Sequence, residues 1–204
     1  QYLAALSQEK TQPTSMALRV LPKLLYGQGH PYAQPLTGTG TEATLKALTR
    51  ADLQAFHRTW FRPNQATLIA VGPVTVADLK PRIEKLFAGW ERGDTPAKAI
   101  GPAAGPRGNV LYLLDRPGAD QSVIFLGQVL PPRNVPDDVD IETLNDVLGG
   151  QFSARINMNL RETKRWAYGA YSFISNARGP RPLLAYAPVQ TDKTTESVAE
   201  LRRE

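Results

Sequence analysis

Apolar residues return every three or four positions through SMALRVLPKLLY (15–26) and stop at Gly27, which predicts a helix bent or restarted at Pro22. A second helix is predicted in LTRADLQAFHRTWF (48–61), with Thr49 as N-cap and Leu53, Phe56 and Trp60 on one face; Arg62-Pro63-Asn64 stops it. QATLIAVG (65–72) reads as a short buried strand. In TVADLKPRIEKLFAGW (75–90), Val76, Leu79, Ile83, Leu86, Phe87 and Trp90 form one stripe. Thr75 caps that helix, Asp78 sits where the helix dipole favours a carboxylate, and Pro81 should bend it.

The periodicity disappears from Glu91 to Asn109, where four Gly and three Pro predict a linker. Beyond it, VLYLLDR (110–116) and SVIFLGQVL (122–130) read as strands, DDVDIETLNDVLGG (137–150) as a helix stopped by glycines, and FSARINMNLRE (152–162) as another helix. WAYGAYSFIS (166–175) and LLAYAPVQ (183–190) read as strands, and TTESVAELRRE (194–204) as a helix. Mixed strands and helices in both halves point to an α+β chain with domains at 1–93 and 109–204, joined by a Gly/Pro-rich linker at 94–108. The first half lacks opening strands and the second closing ones. The start, QYLAALSQEK, reads as the interior of a helix, as in a fragment of a longer protein.

Composition narrows the chemistry. With 42% hydrophobic and 21% charged residues, the chain falls in the ordinary globular class, not the disordered, collagen-like or coiled-coil ones. No apolar run approaches the roughly 18 residues of a membrane helix, and no basic segment followed by an apolar one opens the chain. Zero cysteines remove disulfides, thiolate nucleophiles and Cys-type zinc sites together; His30 and His57 are the only histidines. The net charge of +5 is uneven, with 11 basic and 6 acidic side chains in 1–93 against 13 of each in 94–204. Lys10, Arg19, Lys23, Lys46, Arg58, Arg62, Lys80 and Lys85 are scattered without a basic run or an RNA-binding aromatic motif, which favours solvated faces over a nucleic-acid site. GTGTEAT lacks the Lys and the flanking strand of a phosphate cradle, and no G-x-S-x-G elbow occurs.

Two longer blocks carry more information. GHPY, PLTGT, the helix L-T-x-x-D-L-x-x-F, the stop W-x-R-P-N and the following apolar stretch occur in that order between Gly29 and Gly72. LGGQFSARINMNLRETKRWAYGAYSFIS then joins a glycine loop, a helix ending L-R-E and a strand beginning A-Y-G. Together they resemble the pitrilysin/insulinase-type zinc metallopeptidases, which include the mitochondrial processing peptidases. The resemblance implies paired, similar α/β-sandwich domains of the LuxS/processing-peptidase-like metallohydrolase fold, both incomplete here. It also implies an H-x-x-E-H zinc site in active members, which this chain does not contain. Ala5 falls where the third ligand belongs, and Glu9 lies one helical turn on, so no metal ligand is assigned.

By the same resemblance, Arg161 and Tyr168 are the catalytic candidates, matching in type and seven-residue spacing a pair that the family's second domain contributes. A guanidinium and a phenol are hydrogen-bond donors suited to a peptide carbonyl and the oxyanion formed on it. Gly149, Gly150, Gln151 and Phe152 occupy the place of the family's substrate loop. Simpler readings stand beside these: Arg161 as a cation at a helix C-terminus, Tyr168 as a packed strand aromatic, and Gly149 as a C-cap. Tyr171 is the decoy, three residues on from Tyr168. His30 reads as a structural loop residue, His57 as a helix surface residue, and the three Trp as core.

The implied function is a non-zinc subunit or domain of a peptidase, inactive alone, that supplies Arg161 and Tyr168 to peptide substrates across from a homologous zinc-bearing partner. No cofactor is expected in this chain, and zinc is expected on the partner. Similar proteins suggest a bacterial periplasm or cell envelope. Two alternatives remain open: a catalytically silent core-type subunit, or an active zinc peptidase whose metal motif precedes Gln1.

Overall fold

The computed structural model describes residues 1–133 and 135–204. The fold is α+β and divides into two compact units, one of Gln1–Glu42 with Ile100–Glu204 and one of Ala43–Ala99. This grouping cuts across the 1–93 and 109–204 boundary drawn from composition.

In the larger unit, helices α1 (Tyr2–Glu9) and α2 (Pro13–Tyr26) precede a sheet of β1 (Gln121–Leu130), β2 (Tyr171–Ile174) and β3 (Arg181–Gln190). The order is β1-β3-β2, antiparallel throughout, with Phe125 and Tyr171 both opposite Tyr186. Alternation along β3 gives the sheet two apolar faces. Ala187 and Val189 pack with Ile156, Leu160, Ala170 and Leu201 in one core cluster, whereas Leu184 joins Leu25 and Tyr26 of α2 in another. Pro22 is accommodated inside α2, and Gly27 ends it at φ 82°.

Family-like motifs in the first 42 residues act here as stitching. In GHPY, His30 stacks on Tyr26 at 5.0 Å, accepts from the Tyr32 amide through Nδ1 and pairs through Nε2 with the Gly101 carbonyl. The Tyr26 hydroxyl donates to the Pro180 carbonyl, and the Tyr32 hydroxyl accepts from the Gly179 amide. Burial pushes the Tyr26 phenol up to about 12, so it stays a neutral donor. In PLTGT, Thr39 donates to Glu9, and Arg19 bridges Glu9, Thr39 and the Gly40 carbonyl. The stretch predicted as a linker is partly fixed as well: the Ala104 amide donates to the Tyr26 carbonyl, and a Cβ at Gly105 would lie 2.5 Å from the Leu25 carbonyl.

The smaller unit holds most of α3 (Glu42–Ala47), and α4 (Arg50–Trp60) and α5 (Val76–Leu86). Its threonine caps are as expected, with Thr75 accepting from the Asp78 amide, and Asp52 adds a reciprocal capping box with Thr49. The R-P-N stop also has a tertiary role. Asn64 donates to the Gly93 carbonyl and accepts from the Gly93 amide, while the Trp90 indole donates to the Phe61 carbonyl.

Two predicted strands do not form. Residues 65–72 and 110–116 make no ladder, and Ile69, Val71, Leu111 and Leu113 are all at least 80% exposed. A strand exists only through a hydrogen-bonded neighbour, and none of the described residues is paired with these stretches. The apolar stripes of α4 and α5 are likewise exposed at Leu53, Phe56, Val76 and Leu86.

The Glu9–Arg19 pair is mostly buried, at 2.7 Å. Burial pushes the Glu9 carboxyl up, but hydrogen bonds from Arg19, Thr39 and Thr37, with the Arg19 charge, outweigh it and hold the group below its ordinary 4.5. A depressed carboxylate stabilises fully above that ordinary value, and the contribution is lost as pH falls through the lower folded value. Glu9→Gln is therefore expected to lower the denaturant midpoint at pH 7. The gap to wild type should close on acidification below pH 4.5; a gap independent of pH would refute the assignment.

Candidate functional site

The candidate residues lie on a continuous run from Asp138 to Ile174 within the larger unit. It begins with α6 (Asp138–Asn145), which is clamped by a buried arginine. Arg181, fully buried at the start of β3, contacts Asp138 at 2.6 Å as an ion pair without hydrogen-bond alignment. It also bonds Glu142 at 3.1 Å and the Pro131 carbonyl at 3.1 Å. Two carboxylates and a carbonyl compensate a charge that would otherwise be costly to bury.

From α6 the backbone widens into a π-type turn, Asp146–Gly150, that contains the first two residues of the glycine loop. Gly149 is buried, and a Cβ there would lie 2.5 Å from both the Ser172 amide nitrogen and Ile156. Only glycine lets this turn lie against β2. Ser172 in turn donates to Asn145 Oδ1 at 2.8 Å. Gly150 and Gln151 are exposed, and Phe152 projects largely into solvent.

Next comes α7 (Arg155–Asn157), which continues as a second π-type turn, Met158–Thr163, carrying Arg161. Its inner face holds Ile156 and Leu160 in the core and, between them, the fully buried Asn157. Asn157 Nδ2 donates to the Phe152 carbonyl at 2.7 Å, and Oδ1 accepts from the Ala170 amide at 3.1 Å. The Arg161 guanidinium sits over the Phe152 ring, 4.6 Å from its centre, and pairs with Glu162 at 3.4 Å. Its side chain stays 37% exposed.

The chain then reverses sharply. Arg165 takes φ 58°, and the amides of Trp166 and Ala167 both return to the Leu160 carbonyl. Ala167 makes an isolated bridge to Val189, and Tyr168 follows at 85% exposure. The reading of Tyr168 as a packed strand aromatic therefore does not hold. Tyr171 begins β2 opposite Tyr186 with its phenol folded over Gly169, and a Cβ at Gly169 would lie 2.5 Å from the Tyr171 hydroxyl.

Arg161 and the loop residue Phe152 are thus in contact, while Tyr168 lies beyond the reversal that follows Arg161. The sequence reading missed Asn157, Ser172, Asn145 and Arg181. A signal for Asn157 was available: it is a polar residue on the apolar face of a predicted helix, flanked by Ile156 and Leu160.

The chain from 47 to 204 matches the family model described as the peptidase M16 inactive domain. It belongs to the peptidase M16, or pitrilysin-like, family. Within M16, a Mycobacterium tuberculosis protein named as an uncharacterised zinc protease is 30% identical over 168 residues, 80% of this chain and 37% of that protein. YmxG of Bacillus subtilis, similarly named, is 26% identical over 92% of this chain and 45% of its own length. The chain thus spans less than half the length of these relatives. An M16 inactive domain from Pseudomonas fluorescens superposes with a TM-score of 0.82 at 25% identity, over 99% of this chain and 48% of that one.

Zinc is named for the M16 relatives, and the residues present here do not fit it. Among the described residues no three His, Asp or Glu gather as a ligand set. Ala5 has no donor, and Glu9 Oε2 already accepts from Arg19 and Thr39.

The close approach at Gly149 generates a test. Gly149→Ala is expected to cost about 1–3 kcal/mol of stability through overpacking against the β2 backbone, whereas Phe152→Ala should cost little. Comparable denaturation midpoints for Gly149→Ala and wild type would contradict the contact.

Proposed function

We propose that this chain is a substrate-facing part of an M16 peptidase assembly, supplying Arg161 and Tyr168 as hydrogen-bond donors to the peptide while a homologous zinc-bearing domain or subunit supplies the metal. The observation that carries this reading is the exposure of both donors. Tyr168 presents a phenol to solvent from a segment otherwise anchored to the core, and no packing role accounts for it. Arg161 keeps free donors beside the exposed ring of a loop residue.

In the proposed mechanism, Gly150, Gln151 and Phe152 contact the peptide backbone and a side chain, with Phe152 as the apolar contact. Gly149, expected from the sequence to line the same loop, is packed against Ser172 and Ile156 and supports the loop from beneath. The planar Arg161 fork and the Tyr168 hydroxyl donate to the scissile carbonyl and strengthen those bonds as negative charge develops on its oxygen. Metal chemistry, a Lewis acid and an activated water in zinc peptidases generally, belongs to the partner and not to these residues.

A catalytically silent, core-type role is the rival, favoured by the Arg161–Glu162 pair, which gives Arg161 a partner without substrate. The full-length protein in its peptidase assembly separates the two on a fluorogenic peptide. Tyr168→Phe should lower turnover about 10²–10³-fold, the scale of one lost oxyanion donor, with a smaller change in KM. Arg161→Lys should not restore the fork. Wild-type turnover in both variants would leave the silent role. An H-x-x-E-H motif encoded upstream of Gln1 would instead place the metal on the same polypeptide.

A further inference from the structure

Taking the role proposed for Arg161 and Tyr168 as the basis, we infer that Asn157 is a positioning residue for this site. One carboxamide sets the glycine loop, the Arg161 helix and the Tyr168 segment in register. Asn157 is fully buried, one helical turn before Arg161. Its Nδ2 holds the carbonyl of Phe152, the last loop residue, at 2.7 Å. Its Oδ1 holds the amide of Ala170, two residues past Tyr168, at 3.1 Å. Phe152 then carries the Arg161 guanidinium on its ring. The same amide group is thus shared by the loop and the Tyr168 segment, and it is borne by the helix of Arg161.

The residue type follows from the two partners. A carbonyl needs a donor and an amide needs an acceptor, and a primary carboxamide is the short side chain that offers both at fixed separation without charge. Leucine of similar size would leave the buried Ala170 amide and the part-buried Phe152 carbonyl without this partner. Aspartate would keep the acceptor for Ala170 and, at a pH where its carboxyl is ionised, set a carboxylate oxygen against the Phe152 carbonyl. The two bonds can therefore be removed separately.

The test uses the full-length protein in its peptidase assembly. In wild type, the Ala170 amide should be strongly protected in hydrogen exchange; exchange as fast as that of open loop amides would overturn the inference before any variant is made. Asn157→Asp, with the carboxyl ionised, should keep that protection and raise KM about tenfold with a smaller loss of kcat than Asn157→Leu, because the loop and the ring beneath Arg161 are released while the Tyr168 segment stays held. Asn157→Leu should lose the protection, raise KM and also lower kcat about tenfold or more. If Asn157→Leu does not fold, the wild-type exchange and the Asn157→Asp split decide the matter. Reduced turnover in Tyr168→Phe with wild-type kcat and KM in the folded Asn157 variants defeats this inference and leaves the Arg161/Tyr168 role standing. Unaltered turnover in both Tyr168→Phe and Arg161→Lys defeats both.

Discussion

The missing side chain at Gly149 is the constraint on which the candidate site depends. With no Cβ, the turn after α6 reaches within van der Waals range of the Ser172 backbone and the Ile156 side chain. That contact brings the end of α6, the beginning of β2 and the helix bearing Arg161 to one point. Ser172 and Asn145 add a hydrogen bond across the same junction. Once these elements meet, little freedom remains for the residues between them: Phe152 emerges at the end of the loop, Arg161 one turn along the next helix, and Tyr168 just before the strand.

The side chains that project from this framework are held far more weakly than the backbone beneath them. A cation over an exposed ring is worth about 0.5–1 kcal/mol, and an exposed ion pair between sequence neighbours contributes about as little. Arg161 has those two restraints and Tyr168 is almost wholly in solvent. The widened turn, the left-handed Arg165 and the doubled bond to the Leu160 carbonyl fix where the side chains start, not where their tips end. Such an arrangement suits groups that find their final partners on an incoming peptide: the entropy of the backbone is spent on folding, and only a few rotatable bonds remain to be ordered on binding.

Local signals were the legible part of the sequence. Thr49, Thr75 and Gly27 each act within one turn of chain, and each appears where periodicity and capping chemistry placed it; that Asp52 closes a reciprocal box with Thr49 was not read. The strands at 65–72 and 110–116 failed for the opposite reason, since alternation and β-branched residues describe a surface ready to pair, and pairing is settled by residues elsewhere. SVIFLGQVL, of similar composition, became β1 because β3 lies beside it. The motifs were legible as a family signature before they were legible as physics: nothing in GHPY announces that its histidine will sit between two tyrosines and grip the Gly101 carbonyl. At the site, residue types and order could be read, but the exposure of Tyr168 and the buried link through Asn157 depend on contacts across the fold that spacing does not encode.

The distribution of buried side chains explains why the site can be described from the larger unit alone. Both core clusters lie there, and they flank the sheet on its two faces. Ile156 and Leu160, on the helix that carries Arg161, and Ala170, just past Tyr168, belong to the first cluster itself. Between Ala43 and Ala99, by contrast, no described residue is buried. Helices of 11 residues are marginal in water without tertiary packing. In that unit the two threonine caps, the Asn64–Gly93 pair and the Trp90–Phe61 bond are among the restraints, and these are exposed to water. Stability is therefore unevenly spread along the chain. The geometry around Asn157 and Gly149 draws on the well-packed larger unit, where the loop, the Arg161 helix and the Tyr168 segment share one core cluster and its buried neighbours.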